Sequence, residues 1–97
     1  MGTYIGLLNF TGQGIADIKG GPGRLDAARD AFATMGITIK DFYLTFGQYD
    51  IVIVLEGPDD LTVATAVLAT AAQGNVSVQT LKALNEDEYR QIVGSLP

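Results

Sequence analysis

The chain has 97 residues, a net charge of −5, and neither cysteine nor histidine. These absences exclude disulfide bonds, thiol nucleophiles, histidine-ligated metals and serine–histidine catalysis, so we expect neither a metal nor a cofactor. An acidic chain repels a phosphate backbone, and no apolar run approaches the ~18 residues that a membrane span requires. We therefore expect no nucleic-acid partner, no membrane partner, and a single cytoplasmic domain over residues 1–97.

The balance of apolar and charged residues indicates self-association. Hydrophobic residues make up 47% of the chain and charged residues only 18%. A domain of this length buries only about 60–65% of the surface that its unfolded chain exposes. With a mean hydropathy of +0.25, the chain has more apolar surface than one small core can accommodate. We expect a homodimer or a higher homo-oligomer.

The first predicted element is a strand over Thr3–Phe10. It is apolar on both sides, which is typical of a strand inside a sheet. Gly6 within it indicates either a bulge or a close approach by another group. A short loop and one possible helical turn follow, and the run Lys19–Gly23 is expected to break any helix there, because glycine and proline disfavour a helix interior.

The second element is a helix that starts at Pro22 or Gly23 and ends near Met35. Proline suits its first turn, and Gly36 provides a left-handed cap. One stripe is apolar at helical spacing and should face the core: Leu25, Ala28, Phe32 and Met35.

A β-hairpin is predicted over Ile37–Glu56, with Gly47 and Gln48 as a two-residue turn between two β-branched and aromatic runs. This register sorts the side chains onto two faces, since successive residues of a strand point to opposite sides. The face expected to lie against helices carries the pairs Phe46/Tyr49, Leu44/Ile51, Phe42/Ile53 and Lys40/Leu55. The other face carries Thr45/Asp50, Tyr43/Val52, Asp41/Val54 and Ile39/Glu56.

This second face is too apolar for a solvated surface and too polar for a sealed core. Large contiguous apolar patches are uncommon on monomers. We expect another chain, a ligand, or both to cover it.

The rest of the chain predicts a helix, a strand and a second helix. Asp59 caps a helix from Asp60 to about Gln73, which is apolar nearly all round and is expected to be buried on more than one side. A strand runs from Asn75 to about Ala83. Asn85 then opens the last helix, which ends near Gly94, and Glu88 three residues later completes a capping box.

The order strand, helix, strand, strand, helix, strand, helix predicts an α+β fold. It is the ferredoxin-like βαββαβ sandwich with an antiparallel four-stranded sheet and an extra C-terminal helix. One face of such a sheet carries no helix, and two sheets packed face to face would bury it.

Several segments resemble the GYD domain family. The central one is Gly47-Gln48-Tyr49-Asp50 with its flanking strands; others are Phe10–Ile15, Arg24–Ala28, and Gly74–Val76 through Leu81. They follow the family's order and cover nearly the whole chain. The resemblance implies a small protein of bacterial type with the dimeric α/β-barrel assembly. It implies no particular reaction, and fold alone does not carry function.

Asp50 is the main candidate for a functional side chain. In one interpretation it points into a cavity between two sheets, beside Tyr43 and Thr45, and serves as a general base or polar anchor. In the other, its carboxylate accepts N–H bonds from the Gly47-Gln48 turn and holds the hairpin closed.

Four further residues are candidates for ligand contact, each with a structural alternative. Tyr49 either contacts a ligand or packs with one hydroxyl hydrogen bond. Arg24 either binds an anion beside the glycine-rich run or forms an inter-subunit ion pair. Thr11 and Gln13 either line the mouth of the cavity or cap the short turn. Five of the eleven acids sit at helix starts, where the helix dipole explains them, so a metal site has little support.

Two functions remain open. One is a homo-oligomeric protein that binds a small organic molecule between two facing sheets, with or without a cofactor-independent reaction. The other is a non-catalytic assembly module whose helix-free face is closed by a second subunit and binds no ligand. The sequence leaves open whether any reaction is catalysed.

Overall fold

The computed structural model describes residues 1–97. It contains four strands and four α-helices, with one 3-10 turn at Ile18–Gly20. The elements in chain order are β1 (Gly2–Phe10), α1 (Gly12–Ala16), α2 (Gly21–Thr34), β2 (Thr38–Leu44), β3 (Ile51–Gly57), α3 (Asp60–Ala72), β4 (Val76–Ala83) and α4 (Glu86–Gly94).

The strands form one antiparallel sheet in the order β2-β3-β1-β4. With α2 and α3 packed on one side, this is the ferredoxin-like fold that the order of elements predicts. β1 lies between β3 and β4, as its apolar residues on both sides indicate. Pairing runs unbroken through Gly6, where an added Cβ would lie 2.8 Å from Ile53 Cγ1. Glycine is therefore required there by a close approach and not by a bulge.

The core lies between the sheet and the two long helices. Leu55, Ile37 and Val63 are almost fully buried, and Phe32 of α2 joins them. Leu25 and Met35 pack against this cluster, so the predicted stripe of the first long helix does face the core. Burying side chains of this kind contributes roughly 1.5–3 kcal/mol each, and hydrophobic packing is what attaches α2 to the sheet.

The predicted hairpin register is correct over the middle of β2 and β3. Phe42 pairs with Ile53, Tyr43 with Val52, and Leu44 with Ile51. It is wrong at the start of β2, where the register shifts between Ile39 and Asp41. Because of this β-bulge Ile39, not Lys40, pairs with Leu55 and is buried. Lys40 is exposed instead, and its Nζ lies 2.9 Å from Glu56 Oε1.

The connection between β2 and β3 is longer than the predicted two-residue turn. β2 ends at Leu44 and β3 begins at Ile51, and the last backbone hydrogen bond across the hairpin runs from Thr45 N to Asp50 O, at 2.8 Å. The expected Phe46/Tyr49 pair is absent, since Phe46 is 98% exposed. The prediction failed because the polar groups of Thr45 and Asp50 provide a closure that apolar alternation does not reveal.

The glycine-rich run does not break the helix where the sequence suggested. The chain is interrupted at Asp17, and residues 21–23 form the first turn of α2. Glycine and proline are tolerated in a first turn because its N–H groups have no partner within the helix.

One helix is less buried than expected, and the C-terminal helix is exposed along its whole length. α3 buries Val63 and Ala66, whereas Leu61 and Leu68 are 83% and 69% exposed, so within one chain it is covered on one side only. α4 has no buried residue and projects from a molecule measuring 52 × 32 × 19 Å. The radius of gyration is 14.8 Å, whereas a compact domain of this length has one of about 12.5 Å. None of the helices has the length and apolar character to cross a membrane.

Candidate functional site

Three segments that are distant in sequence meet at one end of the sheet. They are the turn after β1, the loop between β2 and β3, and the connection between α3 and β4. We call this region the junction and define it by Thr11, Gln13, Asp50, Gly74 and Asn75. The same segments carry part of the family resemblance, so the structure brings those residues together.

Asp50 links β3 to β1 through both its backbone and its side chain. Its N–H donates to Leu8 O at 2.9 Å, and its Oδ2 accepts the Phe10 N–H at 2.9 Å. The carboxylate thus takes the place of a backbone carbonyl where the chain leaves the sheet, and it pairs the last N–H of β1. Its partner is not the Gly47-Gln48 turn, as the structural interpretation supposed, but a strand forty residues earlier in the chain.

Thr11 and Gln13 join the start of α1 to the connection before β4. Thr11 Oγ1 accepts the Gly14 N–H at 3.1 Å as the helix N-cap, and it donates to Gly74 O at 2.5 Å. Gln13 Nε2 donates to Gln73 O at 2.9 Å and to Asn75 Oδ1 at 3.1 Å. Thr11 therefore caps the turn, one of its two predicted roles, and Gln13 fastens the turn to the connection.

Gly14 is required by the closeness of these two segments. An added Cβ at this position would lie 2.1 Å from the backbone oxygen of Asn75. That distance is far inside van der Waals contact, and the obstacle is backbone, which cannot rotate away. The junction can close only with glycine here.

Thr45 and Tyr49 close the loop that Asp50 anchors. Thr45 Oγ1 donates to Tyr49 O at 2.5 Å. The Tyr49 hydroxyl donates to Gln79 Oε1 at 2.8 Å, which reaches β4 on the opposite edge of the sheet from β2. Tyr49 therefore makes one hydroxyl hydrogen bond, as its structural interpretation predicted, and it ties the loop across the sheet.

Arg24 makes its contacts within its own chain. Its Nη1 lies 3.0 Å from Asp17 Oδ2 and 2.9 Å from Asp17 O. These bonds hold the first turn of α2 to the segment that follows α1. Neither the anion site nor the inter-subunit pair is needed to explain its position.

The helix-free side of the sheet is the surface that we call the open face. It presents apolar residues in the middle and polar residues at the edges. The apolar members are Ile5, Leu7, Tyr43, Val52, Val54 and Leu81. Tyr43 is 56% exposed, and its hydroxyl makes no hydrogen bond within the chain. Of the predicted site residues, Tyr43 is therefore the one whose polar group is left free for another molecule.

A second polar cluster, which sequence reasoning missed, lies at the other end of the sheet. The Tyr4 hydroxyl donates to Asp60 Oδ1, and Lys82 Nζ lies 2.8 Å from the same oxygen. The hydrogen bonds from Lys82 and Tyr4 lower the pKa of Asp60, and the bond to Asp60 raises the pKa of both partners. Only the β1–β4 register brings Tyr4 and Lys82 together, so no local signal could have found this cluster.

An apolar groove opens on the helix side of the sheet. It has a volume of about 670 Å³ and lies between α2 and α3. We call it the helix-side groove and define it by Phe10, Ala28, Ala31, Phe42, Leu44 and Val76, which are among its lining residues. Unpaired apolar surfaces of this kind are typical of sites where another protein segment or an apolar ligand binds.

The comparisons with known proteins agree with the resemblance seen in the sequence. The model of the GYD domain matches residues 4–93. The chain is also similar to a protein of Thermus thermophilus named glutamine synthetase and cystathionine beta-lyase binding protein. The two are 33% identical over 85 residues, which cover 87% of this chain and 90% of the relative.

Proposed function

The chain belongs to the GYD domain family, and on that premise we propose that it is a protein-binding module that docks onto enzymes of amino-acid metabolism. The single observation that carries this proposal is the similarity to the Thermus protein over nearly the full length of both chains, since that relative is named for the two enzymes that it binds. The candidate partners are therefore a glutamine synthetase and a cystathionine β-lyase, and the proposed location is the cytoplasm.

The β2–β3 loop is the surface that we propose for this contact. Phe46 at its tip is 98% exposed, and Leu44 beside it is 60% exposed. Exposed aromatic residues often serve as the anchors that dominate an interface. The bonds of Asp50 and Thr45 fix the base of the loop, so that its tip is held in place before binding and loses little freedom on docking. In this proposal the junction acts by presenting Phe46.

The test uses the full chain and the two purified enzymes from the same organism, with binding measured by biolayer interferometry. We expect at least one enzyme to bind the wild-type chain, and Phe46→Ser to weaken that binding about 30-fold, as for an interface anchor worth about 2 kcal/mol. Gln48→Ser in the same exposed loop is the matched control and should bind as the wild type does. Absence of binding at micromolar concentration would contradict the function, and equal loss in both variants would contradict the role of Phe46.

The proposal includes self-association through the open face. The apolar residues of this face are half-buried or, at Tyr43 and Leu81, exposed in a single chain, and a second sheet would cover them. A C2 pairing would place two open faces together, since the same patch then serves both subunits. Sedimentation velocity should show no monomer at micromolar concentration. A stable monomer would contradict this part of the proposal without affecting the enzyme-binding part.

A small organic ligand between two facing sheets is the second candidate function, and the free hydroxyl of Tyr43 favours it. Tyr43 lies beside Val52 on the open face, so a cavity there would offer an apolar wall with one hydrogen-bonding group. A thermal-shift screen of small acids and phenols tests it, because a ligand at 100 times its Kd adds about 2.7 kcal/mol of stability. A hit that persists unchanged in Tyr43→Phe would contradict this site.

A further inference from the structure

The outer edge of β2 combines exposed apolar side chains with backbone groups that no other strand pairs. β2 and β4 are the two edge strands, since the strand order is β2-β3-β1-β4. Phe42, Tyr43 and Leu44 are consecutive in β2 and are 36%, 56% and 60% exposed. We call these three residues the β2 edge. An exposed edge strand with apolar side chains is a ready template for pairing with another strand.

The hydrogen bonds of the hairpin show which backbone groups of the β2 edge are free. Thr45 N donates to Asp50 O, so the N–H of Thr45 points toward β3. In an antiparallel pair this direction alternates along the strand, and the register is regular over the second half of β2. The N–H and C=O groups of Tyr43 therefore point toward β3, whereas those of Phe42 and Leu44 point away from the sheet.

The β2 edge lacks the features that usually prevent edge strands from pairing, which are charges, prolines and bulges. The first half of β2 has two of them, because the register shifts beside Lys40 and this charged side chain is exposed. The other edge strand, β4, carries the exposed polar residues Ser77, Gln79 and Lys82. The β2 edge has no charge, no proline and no bulge. Its outward N–H and C=O groups match an extended segment, which offers the same groups in return.

We propose that the enzyme bound at Phe46 adds an extended segment to the sheet as a fifth strand beside the β2 edge. Strand addition rests on the enzyme-binding function proposed above, and it names the chemistry of the partner. Phe42 and Leu44 point to the helix side and Tyr43 to the open face. Because neighbouring strands pair their side chains on each face, the added segment should be apolar on both sides. Phe46 follows Leu44 by two residues, so one region of the enzyme can reach both.

A second copy of the chain fits this edge less well. Two β2 edges related by a two-fold axis could pair only over residues 41–45, between the bulge and the loop. Their footprint is about 80 Å² at ~3.3 Å per residue and ~4.8 Å between strands, whereas a standard interface buries about 800 Å² per partner. Sheets paired through their open faces lie ~10 Å apart, so neither reaches the edge of the other in its own plane. The enzyme has neither limit, because in the proposed contact Phe46 anchors it beside the edge.

The first test removes one outward N–H group and leaves the β2–β3 hydrogen bonds in place. Leu44→Pro deletes the N–H that points away from the sheet, and edge strands tolerate proline at such positions. Leu44→Ala is the matched control, because it removes the same side chain and keeps the N–H. Binding of both full-length variants to the two purified enzymes is measured by biolayer interferometry. We expect Leu44→Pro to bind at least tenfold more weakly than Leu44→Ala, and equal binding would overturn strand addition.

The second test uses the wild-type chain, so its outcome does not depend on the folding of a variant. Amide hydrogen exchange is measured residue by residue with and without the enzyme. In the free chain the Phe42 and Leu44 amides should exchange fast and the Tyr43 amide slowly. In the complex, exchange at Phe42 and Leu44 should slow at least tenfold, while the amides of β4 should not change.

The two tests separate strand addition from the enzyme-binding function. An enzyme that binds without slowing exchange at Phe42 and Leu44 refutes strand addition and leaves the function intact. If neither enzyme binds at micromolar concentration, both are refuted. Slower exchange at these two amides when the concentration of the free chain is raised would assign the edge to a second copy, and strand addition by the enzyme would again be wrong.

Discussion

The junction and α4 are held in opposite ways. At the junction, long-range hydrogen bonds join residues that are 40 to 64 positions apart in sequence, among them Phe10 with Asp50 and Thr11 with Asn75. In α4 the side-chain bonds are local: the capping box of Asn85 and Glu88, and an ion pair one turn long. Local sequence patterns indicate both regions, yet only the junction is hydrogen-bonded to distant parts of the chain.

The difference shows what local signals can do. A cap stabilises a helix by about 1 kcal/mol, and an exposed ion pair one turn apart by about 0.2–0.5 kcal/mol. Both favour formation of the helix, but neither attaches it to another element. Attachment needs buried contacts or long-range bonds. We therefore expect substitutions at the junction to destabilise the whole domain, and substitutions in α4 to leave the domain folded.

The largest effect is expected from Gly14→Ala. The added methyl group would lie 2.1 Å from the Asn75 carbonyl oxygen, so the junction must open. We expect a loss of about 3 kcal/mol of unfolding free energy, or a fall of roughly 15 °C in Tm for a domain of this length, measured by calorimetry. Gly12→Ala in the same helix is the control, because nothing lies within 4 Å of its added Cβ. Similar losses in both variants would contradict the role of the Asn75 contact, because alanine has the higher helix propensity and should not by itself destabilise the helix.

A smaller effect is expected from substitutions of Asp50. Asp50→Ala leaves the Phe10 N–H without a partner and should cost about 2 kcal/mol. Asp50→Asn retains an oxygen acceptor without its charge and should cost about 1 kcal/mol. Urea unfolding measures both, with Asp41→Ala, an exposed acid without a hydrogen bond, as the control. Stability unchanged in Asp50→Ala, together with lost ligand binding, would reverse the structural interpretation.

The smallest effect on the domain is expected from Asn85→Ala. Removing the cap destabilises α4 by about 1 kcal/mol. At a concentration low enough to keep the chain monomeric, the helical circular dichroism should fall. The unfolding free energy of the rest of the domain should change by less than about 0.5 kcal/mol. A larger global loss in the monomer would show that α4 packs on its own domain.

The sequence predicted those features whose causes lie close together in the chain. Alternation placed Phe42 opposite Ile53 because a pleated strand repeats every two residues. Capping predicted the start of α4, since Asn85 and Glu88 are one turn apart. The sequence did not predict the bulge beside Lys40 or the wide loop at Phe46, where side-chain and backbone hydrogen bonds outweigh the apolar pattern.

Of the candidate site, the sequence singled out residues that the structure places at the junction, but not what they touch. Asp50, Thr11 and Gln13 were identified, whereas their partners on β1 and before β4 depend on how distant segments fold together. The cluster of Tyr4, Asp60 and Lys82 also depends on how distant segments fold together, and no sequence pattern indicated it.

By itself, the sequence determined the elements, their order and the family, because capping, side-chain periodicity and glycine placement act over a few residues. Only the tertiary structure decided that Gly14 fits under Asn75, that an apolar groove opens between α2 and α3, and that α4 is left without a partner. The physical reason is that burial and long-range hydrogen bonds depend on the whole chain at once, and no window of neighbouring residues contains them.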